Sequence, residues 1–217
     1  MFKIYESDEK IFEHNGLRTL KPTKAIIYKE DNSDYYLELE GSIKDIDIVK
    51  FGNIIRVPSP WGEQGFRLQH PEKKNNKIYV KAKHLYYDTE NYLIEDSYVV
   101  DKGCNDALDH LNSASETVTP FSTSSNIIKT NSFRCVRKTL NEAINVVLDR
   151  WGGHLIRDNF NIKINSSIGK DNGVTLRYQK NIQEITEKTD STNLVTKLLP
   201  VRKRWIATTR KICLLLI

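Results

Sequence analysis

The chain has 217 residues, of which 39% are hydrophobic and 28% are charged, so it can bury a core in one or two domains. No window approaches the roughly 20 apolar residues that span a bilayer, and the first residues lack the basic and apolar regions of a signal peptide. We therefore expect neither a membrane-spanning segment nor export through a cleaved signal.

The net charge of +5 comes from one end of the chain. Residues 201–217 contain no acidic residue and five basic ones, namely Arg202, Lys203, Arg204, Arg210 and Lys211. Subtracting these five from the 33 basic residues leaves 28, which equals the 28 acidic residues of the chain. Residues 1–200 therefore carry equal numbers of basic and acidic residues. Because such a balance gives no excess of Lys and Arg for phosphate contacts, the composition disfavours a nucleic-acid-binding module.

The three cysteines are Cys104, Cys135 and Cys213. They are widely separated and form neither a CxxC pair nor the Cys/His spacing of a zinc site. The sequence predicts free thiols in a protein folded in the cytoplasm, without a metal or another cofactor.

The first hundred residues predict strands. Residues 24–30 and 35–41 are rich in β-branched and aromatic residues and flank a turn-forming cluster at 31–34, which indicates a hairpin. Residues 53–57 predict a strand that stops at Pro58 and Pro60, followed by a loop over 61–65. Residues 66–68 and 77–82 predict a pair of strands. Together these segments favour a small twisted barrel or open sheet.

The chain then changes character. Helical spacing of apolar residues predicts a short helix from Gly103 to about Ser115, and the polar run at 116–133 predicts loops or edge strands. Thr139 can cap a helix whose apolar stripe is Leu140, Ile144, Val147 and Trp151. Residues 155–157 and 160–164 predict strands, and residues 171–173 predict a turn before a strand at 174–178. A second, α+β unit follows from this pattern.

Four segments carry a resemblance to a known family. They are residues 53–67 (NIIRVPSPWGEQGFR), 80–88 (VKAKHLYYD) followed by 91–94 (NYLI), 151–160 (WGGHLIRDNF), and the two pieces 171–174 (DNGV) and 178–182 (YQKNI). In this order they resemble the N-terminal region of the prophage tail endopeptidase family, across roughly residues 20–200. His154 stands where that family has an acidic residue.

The resemblance implies a baseplate hub-like, β-rich α+β fold. It divides the chain into a β-barrel or sheet tube domain over 1–102, a second α+β domain over 103–190, and a return segment over 191–217. It also implies a structural component of a phage or prophage tail tip. In that family a trimeric hub ring closes or extends the tail tube and binds the distal tail protein. The ring surrounds the tape measure protein, and DNA passes through as cargo.

The same resemblance implies assembly in the cytoplasm of the bacterial host and a final location in the virion tail. The family's lytic domain, where there is one, is a C-terminal extension that this sequence lacks, so we expect no enzymatic activity. The alternative is a peptidoglycan-degrading tail endopeptidase with its active site within these 217 residues.

Residues 201–217 depart from the pattern of the rest of the chain. Residues 202–213 can be encoded so that a one-nucleotide shift reads a sequence that resembles the family's continuation at this point. Our hypothesis is a frameshift that truncates the protein before any lytic domain. The alternative is a genuine basic and apolar tail that binds a membrane or a partner.

Four residues are candidates for an interface. Trp61 follows the prolines and predicts either an anchor for a neighbouring subunit or a cover for the core. His84, Tyr86 and Tyr87 lie in the second motif, where a histidine beside aromatic residues predicts packing or interface contacts. Asp88 could pair with His84 for acid–base chemistry, but no nucleophile accompanies them at an informative spacing. In the third motif, Arg157 and Asp158 predict a charged pair that fixes a turn, and Asp158 and Asn159 predict a turn-forming couple.

Overall fold

The computed structural model describes residues 1–169, residues 173 and 175, and the strands Leu198–Arg202 and Ile212–Leu216. Met1–Gly169 form one structural unit, and Lys170–Ile217 form a second. No helix among the described residues is long and apolar enough to cross a membrane.

The N-terminal part of the first unit is an eight-stranded, curled antiparallel sheet. Its spatial order is β2-β1-β5-β6-β8-β4-β3, and β7 pairs with β8 beside this path. The strands are β1 (Phe2–Tyr5), β2 (Arg18–Leu20), β3 (Lys24–Lys29), β4 (Tyr35–Ser42), β5 (Ile54–Ser59), β6 (Gly62–Leu68), β7 (Glu72–Lys74) and β8 (Lys77–His84). Short 3-10 helices follow β4 at Ile43–Asp45 and β8 at Leu85–Asn91.

Alternation of side chains fixes the register of this sheet. Every second residue of β4 and of β8 is buried, as expected for strands with one face on a core. The predicted hairpin is confirmed, since β3 and β4 pair with Ile27 opposite Leu37. The predicted pairing of 66–68 with 77–82 is also confirmed in outline, with Leu68 opposite Ala82. The predicted small barrel or open sheet is therefore the observed architecture.

The loop predicted over 61–65 is wrong. β5 continues through Pro58 to Ser59, and β6 begins at Gly62, so the connection is only Pro60 and Trp61. Pro58 fits in the strand because β1 pairs with β5 only as far as Arg56, which leaves no partner strand on that side of Pro58.

The C-terminal part of the first unit combines helices with two small sheets. After β9 (Leu93–Gly103) come helix α1 (Cys104–Ser113), β10 (Ser122–Ser125), β11 (Thr130–Thr139), helix α2 (Leu140–Trp151), β12 (His154–Asp158) and β13 (Asn161–Asn165). Strands β9 and β11 form an antiparallel two-stranded ribbon, and β10, β13 and β12 form a three-stranded sheet in that order. A continuous apolar core joins both sheets to both helices.

Both predicted helices are confirmed. Thr139 caps α2 through a reciprocal capping box with Glu142, and the predicted stripe is buried on one face. Gly152 ends the helix with φ 77°, a value that favours glycine. The strands predicted at 155–157 and 160–164 correspond to β12 and β13, and β10 is an edge strand within the polar run at 116–133.

Other expectations concern the end of the chain. The turn at 171–173 and the strand at 174–178 lie outside the described residues, apart from the exposed Gly173 and Thr175. In the second unit, β14 (Leu198–Arg202) and β15 (Ile212–Leu216) pair antiparallel. The domain boundaries at 102 and 190 and the frameshift remain predictions.

Candidate functional site

The third motif, residues 151–160, attaches β12 and the β12–β13 turn to the first sheet. Arg157 lies at the centre of this attachment and is only 3% exposed. Its guanidinium donates to the carbonyl oxygens of Ser33 and Glu30, the latter at 2.7 Å, and lies over the rings of Tyr35 and Tyr86. A buried cation is tolerated here because carbonyl oxygens and aromatic faces replace its hydration.

The predicted ion pair between Arg157 and Asp158 is wrong. Successive residues of a strand point to opposite faces of the sheet, so the two side chains diverge. Asp158 instead accepts a hydrogen bond from Gln64 Nε2 at 2.9 Å. The turn-forming role of the next residue is confirmed, since Asn159 has φ 52° and begins the connection to β13.

Asn159 links this turn to β6. Its Oδ1 accepts from the Gly65 backbone N–H at 2.7 Å, and its Nδ2 donates to the Glu63 carbonyl at 3.0 Å. Gly65 leaves room for Leu85 beside this turn, because a Cβ at position 65 would lie 2.5 Å from Leu85 Cδ1. Motif residues of β6 and of the β12–β13 turn are therefore hydrogen-bonded to each other, although they are 94 positions apart in the sequence.

The β3–β4 turn is held in the same way from the other side. Asn32 donates to the Gly153 carbonyl at 3.0 Å and accepts from the Leu155 N–H at 2.7 Å. His154 Nδ1 lies 2.5 Å from a carboxylate oxygen of Asp31. Gly153 has φ 101°, and a Cβ would lie 2.6 Å from the Asn165 carbonyl oxygen, so glycine is required there. We call Arg157, Asp158, Asn159 and Asn32, with the groups they bind, the polar clamp.

His84 is fully buried beside the polar clamp. Its ring stacks on Tyr35 at 4.3 Å between centroids; Nδ1 accepts from the Tyr86 N–H at 3.1 Å, and Nε2 lies 3.0 Å from Gln64 Oε1. Because Nδ1 is an acceptor, the proton is on Nε2 and is donated to Gln64. Burial, and then the charges of Arg157 and Lys29, hold the pKa of His84 well below its ordinary value.

Asp88, the carboxylate considered as a partner for His84, pairs with Arg67 instead. Asp88 accepts two hydrogen bonds from Arg67, at 2.7 and 2.5 Å, in a bidentate pair. His84 therefore has a packing role in this structure, with Gln64 as its side-chain partner.

Tyr86 and Tyr87 also contact neighbours within the chain. Tyr86 is buried, donates to Asn141 Oδ1 on α2 at 2.8 Å, and has its pKa raised by burial. Tyr87 is half-buried; its hydroxyl donates to the Ser33 carbonyl at 3.3 Å and accepts from the Tyr35 N–H at 3.2 Å. Both side chains tie the second motif to the structure around it.

Trp61 is the most exposed of the four candidate interface residues. It lies at the β5–β6 turn, its side chain is 56% exposed, and Lys29 Nζ lies 4.1 Å from the centre of its ring. It borders an open cleft of about 590 Å³ whose floor includes Leu155 and Ile156. Burial lowers the pKa of Lys29. Of the four candidates, Trp61 therefore presents the most surface to a partner.

The fold is similar to that of two solved tail proteins. Prophage tail protein gp18 from Listeria monocytogenes superposes with a TM-score of 0.67 at 15% identity, over 93% of this chain and 61% of the Listeria chain. The tail protein from Neisseria meningitidis superposes with a TM-score of 0.50 at 11% identity, over 75% of this chain and 49% of the Neisseria chain.

Sequence comparison adds no relative. No known family profile matches the chain, and no curated protein matches it. The fold is therefore that of phage tail proteins, and the chain spans about three fifths of the Listeria protein's length and half of the Neisseria protein's.

Proposed function

We propose that the protein is a structural component of a bacteriophage or prophage tail. The observation that supports this most is the likeness to the Listeria prophage tail protein, which extends over 93% of the chain. A local likeness could reflect one common sheet. A match that includes both the curled sheet and the helix-containing part indicates a shared arrangement, which the polar clamp maintains.

The finer proposal is a hub ring at the tail tip. In this role the protein would extend the tail tube, bind the distal tail protein and surround the tape measure protein, with DNA passing as cargo. The motifs resembling the prophage tail endopeptidase family support it. The structure adds that these motifs meet in space, since Gln64 and Gly65 of the first motif bind Asp158 and Asn159 of the third. We further propose assembly in the host cytoplasm and a final location in the virion tail.

Gene inactivation tests the structural role. Particles from a lysogen lacking the gene should have absent or incomplete tails by negative-stain electron microscopy, and the full chain supplied in trans should restore them. A matched complementation with the Arg157→Ala protein should restore fewer tails, because the fold is weakened. Tails of normal length and normal infectivity in the deletion strain would contradict the proposal.

A further inference from the structure

The β9–β11 ribbon differs from the other sheets of the first unit because it consists of two strands with an exposed face. One face packs on the core through Ile94, Val99, Phe133 and Cys135. The opposite face exposes Tyr98 by 61% and Val100 and Val136 by 47% each. Large apolar side chains grouped on one exposed strand pair indicate a contact surface.

Both outer edges of the ribbon are open within the described part of the chain. Contacts lie near the two ends of β9: Ile94 bridges Ser115, the Glu116 N–H donates to the Leu93 carbonyl, and Trp151 Nε1 donates to the Lys102 carbonyl at 3.3 Å. Residues 95–101 of β9, between these contacts, are about 24 Å long, and the ten residues of β11 are about 34 Å long. Open edges of this length carry backbone groups that can pair with another strand.

The two strands carry opposite charges. On β9, Glu95, Asp96 and Asp101 against Lys102 give a net charge of −2. On β11, Arg134, Arg137 and Lys138 give +3. Asp96 and Arg134 already pair within the ribbon at 2.7 Å. Within the described residues, the other acidic and basic side chains of the ribbon have no ion pair.

We propose that the ribbon binds a second copy of this chain, with the acidic β9 edge of one copy against the basic β11 edge of the next. The charges disfavour the symmetric alternatives, because β9 against β9 places mostly acidic strands side by side and β11 against β11 places basic strands side by side. An edge-to-edge contact between unlike strands is head-to-tail and closes into a ring when the rotation between copies allows it. The proposal rests on the structural tail role, in which this sheet extension is the subunit contact.

Two charge variants test the contact. Glu95→Lys with Asp101→Asn changes β9 from −2 to +1, and Arg137→Asp with Lys138→Glu changes β11 from +3 to −1. Asn and Asp are chosen because Asp101 and Arg137 have φ 50°, which these residues tolerate. The matched controls are Asp8→Asn with Glu13→Lys, and Lys10→Glu with Lys50→Glu, which change the charge equally at exposed positions outside the ribbon.

The readout is the mass of the full chain by light scattering across a concentration series. The unaltered chain and both controls should rise above 25.1 kDa with concentration. Each ribbon variant alone should stay at the monomer mass, and an equimolar mixture of the two should associate again. Association should weaken as salt rises from roughly 50 to 500 mM, because the charges are exposed. A monomeric unaltered chain, unaffected variants, or a mixture that does not associate would each overturn the proposal.

A cross-linking measurement tests the same contact without the charge variants, in case those variants fail to fold. On a Cys213→Ser background, Glu95→Cys and Lys138→Cys chains should cross-link to each other when mixed, and neither should cross-link to itself. Self-cross-linking, or none in the mixture, would overturn the head-to-tail arrangement. A purified chain that stays monomeric while antibody-labelled tails carry the protein would refute this contact alone. Association without any labelled tail would refute the tail role alone.

Discussion

Arg157→Ala is the substitution that most directly probes the polar clamp. It removes a buried cation and leaves the Glu30 carbonyl without the donor that the structure shows. Two charge-assisted hydrogen bonds at ~1.5–3 kcal/mol each give a gross loss of ~3–6 kcal/mol. Arg157 has no carboxylate partner, so its removal also removes the desolvation cost of a buried charge. This gain offsets part of the loss. We expect a net loss of about 3 kcal/mol in the free energy of unfolding.

The assay is thermal unfolding of the full chain. For a domain of this size each 1 kcal/mol lowers Tm by ~2–4 °C, so Arg157→Ala should lower Tm by about 6–12 °C. Arg150→Ala is the control, because Arg150 is exposed on α2 and surface substitutions change stability by about 0.5 kcal/mol or less. Arg157→Met separates packing from hydrogen bonding, since it keeps most of the volume. An Arg157→Ala protein as stable as the Arg150→Ala control would refute the clamp.

Three further predictions concern neighbouring residues. Asn159→Ala should cost about 2–5 kcal/mol in urea unfolding, because it strains a left-handed residue by ~1–2 kcal/mol and leaves the Gly65 N–H without its acceptor at ~1–3 kcal/mol. Asn159→Gly should cost less, since it relieves the strain, and equal losses would contradict this account. His84 has a lowered folded-state pKa. The unfolded chain therefore binds a proton first as pH falls below about 6.5. Below that pH the free energy of unfolding of the unaltered chain should fall by at most about 1.4 kcal/mol per pH unit. The difference in free energy of unfolding between the unaltered chain and His84→Gln should therefore shrink between pH 7.5 and 5.5. A difference that stays constant over this range would contradict the burial argument. Trp61→Ala should change Tm by less than about 4 °C because the ring is exposed, yet reduce incorporation into tails in the complementation assay; full incorporation would remove Trp61 as an anchor.

Local signals were sufficient where a segment carries its own pattern. Thr139 with Glu142 marks the start of α2, and the spacing of its apolar residues marks the buried face. The alternation in β4 similarly identifies a strand with one buried side. In both cases the determinants lie within a few residues of one another.

The β9–β11 ribbon shows where local signals fail. β11 contains Arg134, Arg137 and Lys138, and only two of its ten residues are buried, so it lacks the apolar run of a typical strand. Its partner β9 is about 30–45 residues earlier in the chain, and nothing in either segment alone specifies the register. Non-local pairing is therefore the main reason that the ribbon was not predicted.

The candidate site was found as motifs but not as contacts. The sequence identifies the runs containing Gly65 and Asn159 as motifs, but it does not predict their contact across 94 residues. For the second motif the sequence predicts packing or interface contacts, and the structure buries His84 and Tyr86 within the chain. An interface role for this motif stays a prediction. The motifs identify the residues, but only the packing shows which groups those residues contact.

Immunogold electron microscopy of tails tests the central claim most directly. Particles induced from a lysogen carrying the gene would be labelled with an antibody against the full chain, with particles from the deletion strain as the control. The proposed hub predicts gold at one end of each tail, opposite the capsid. Intact tails without label, or label only on material that sediments apart from particles, would contradict it.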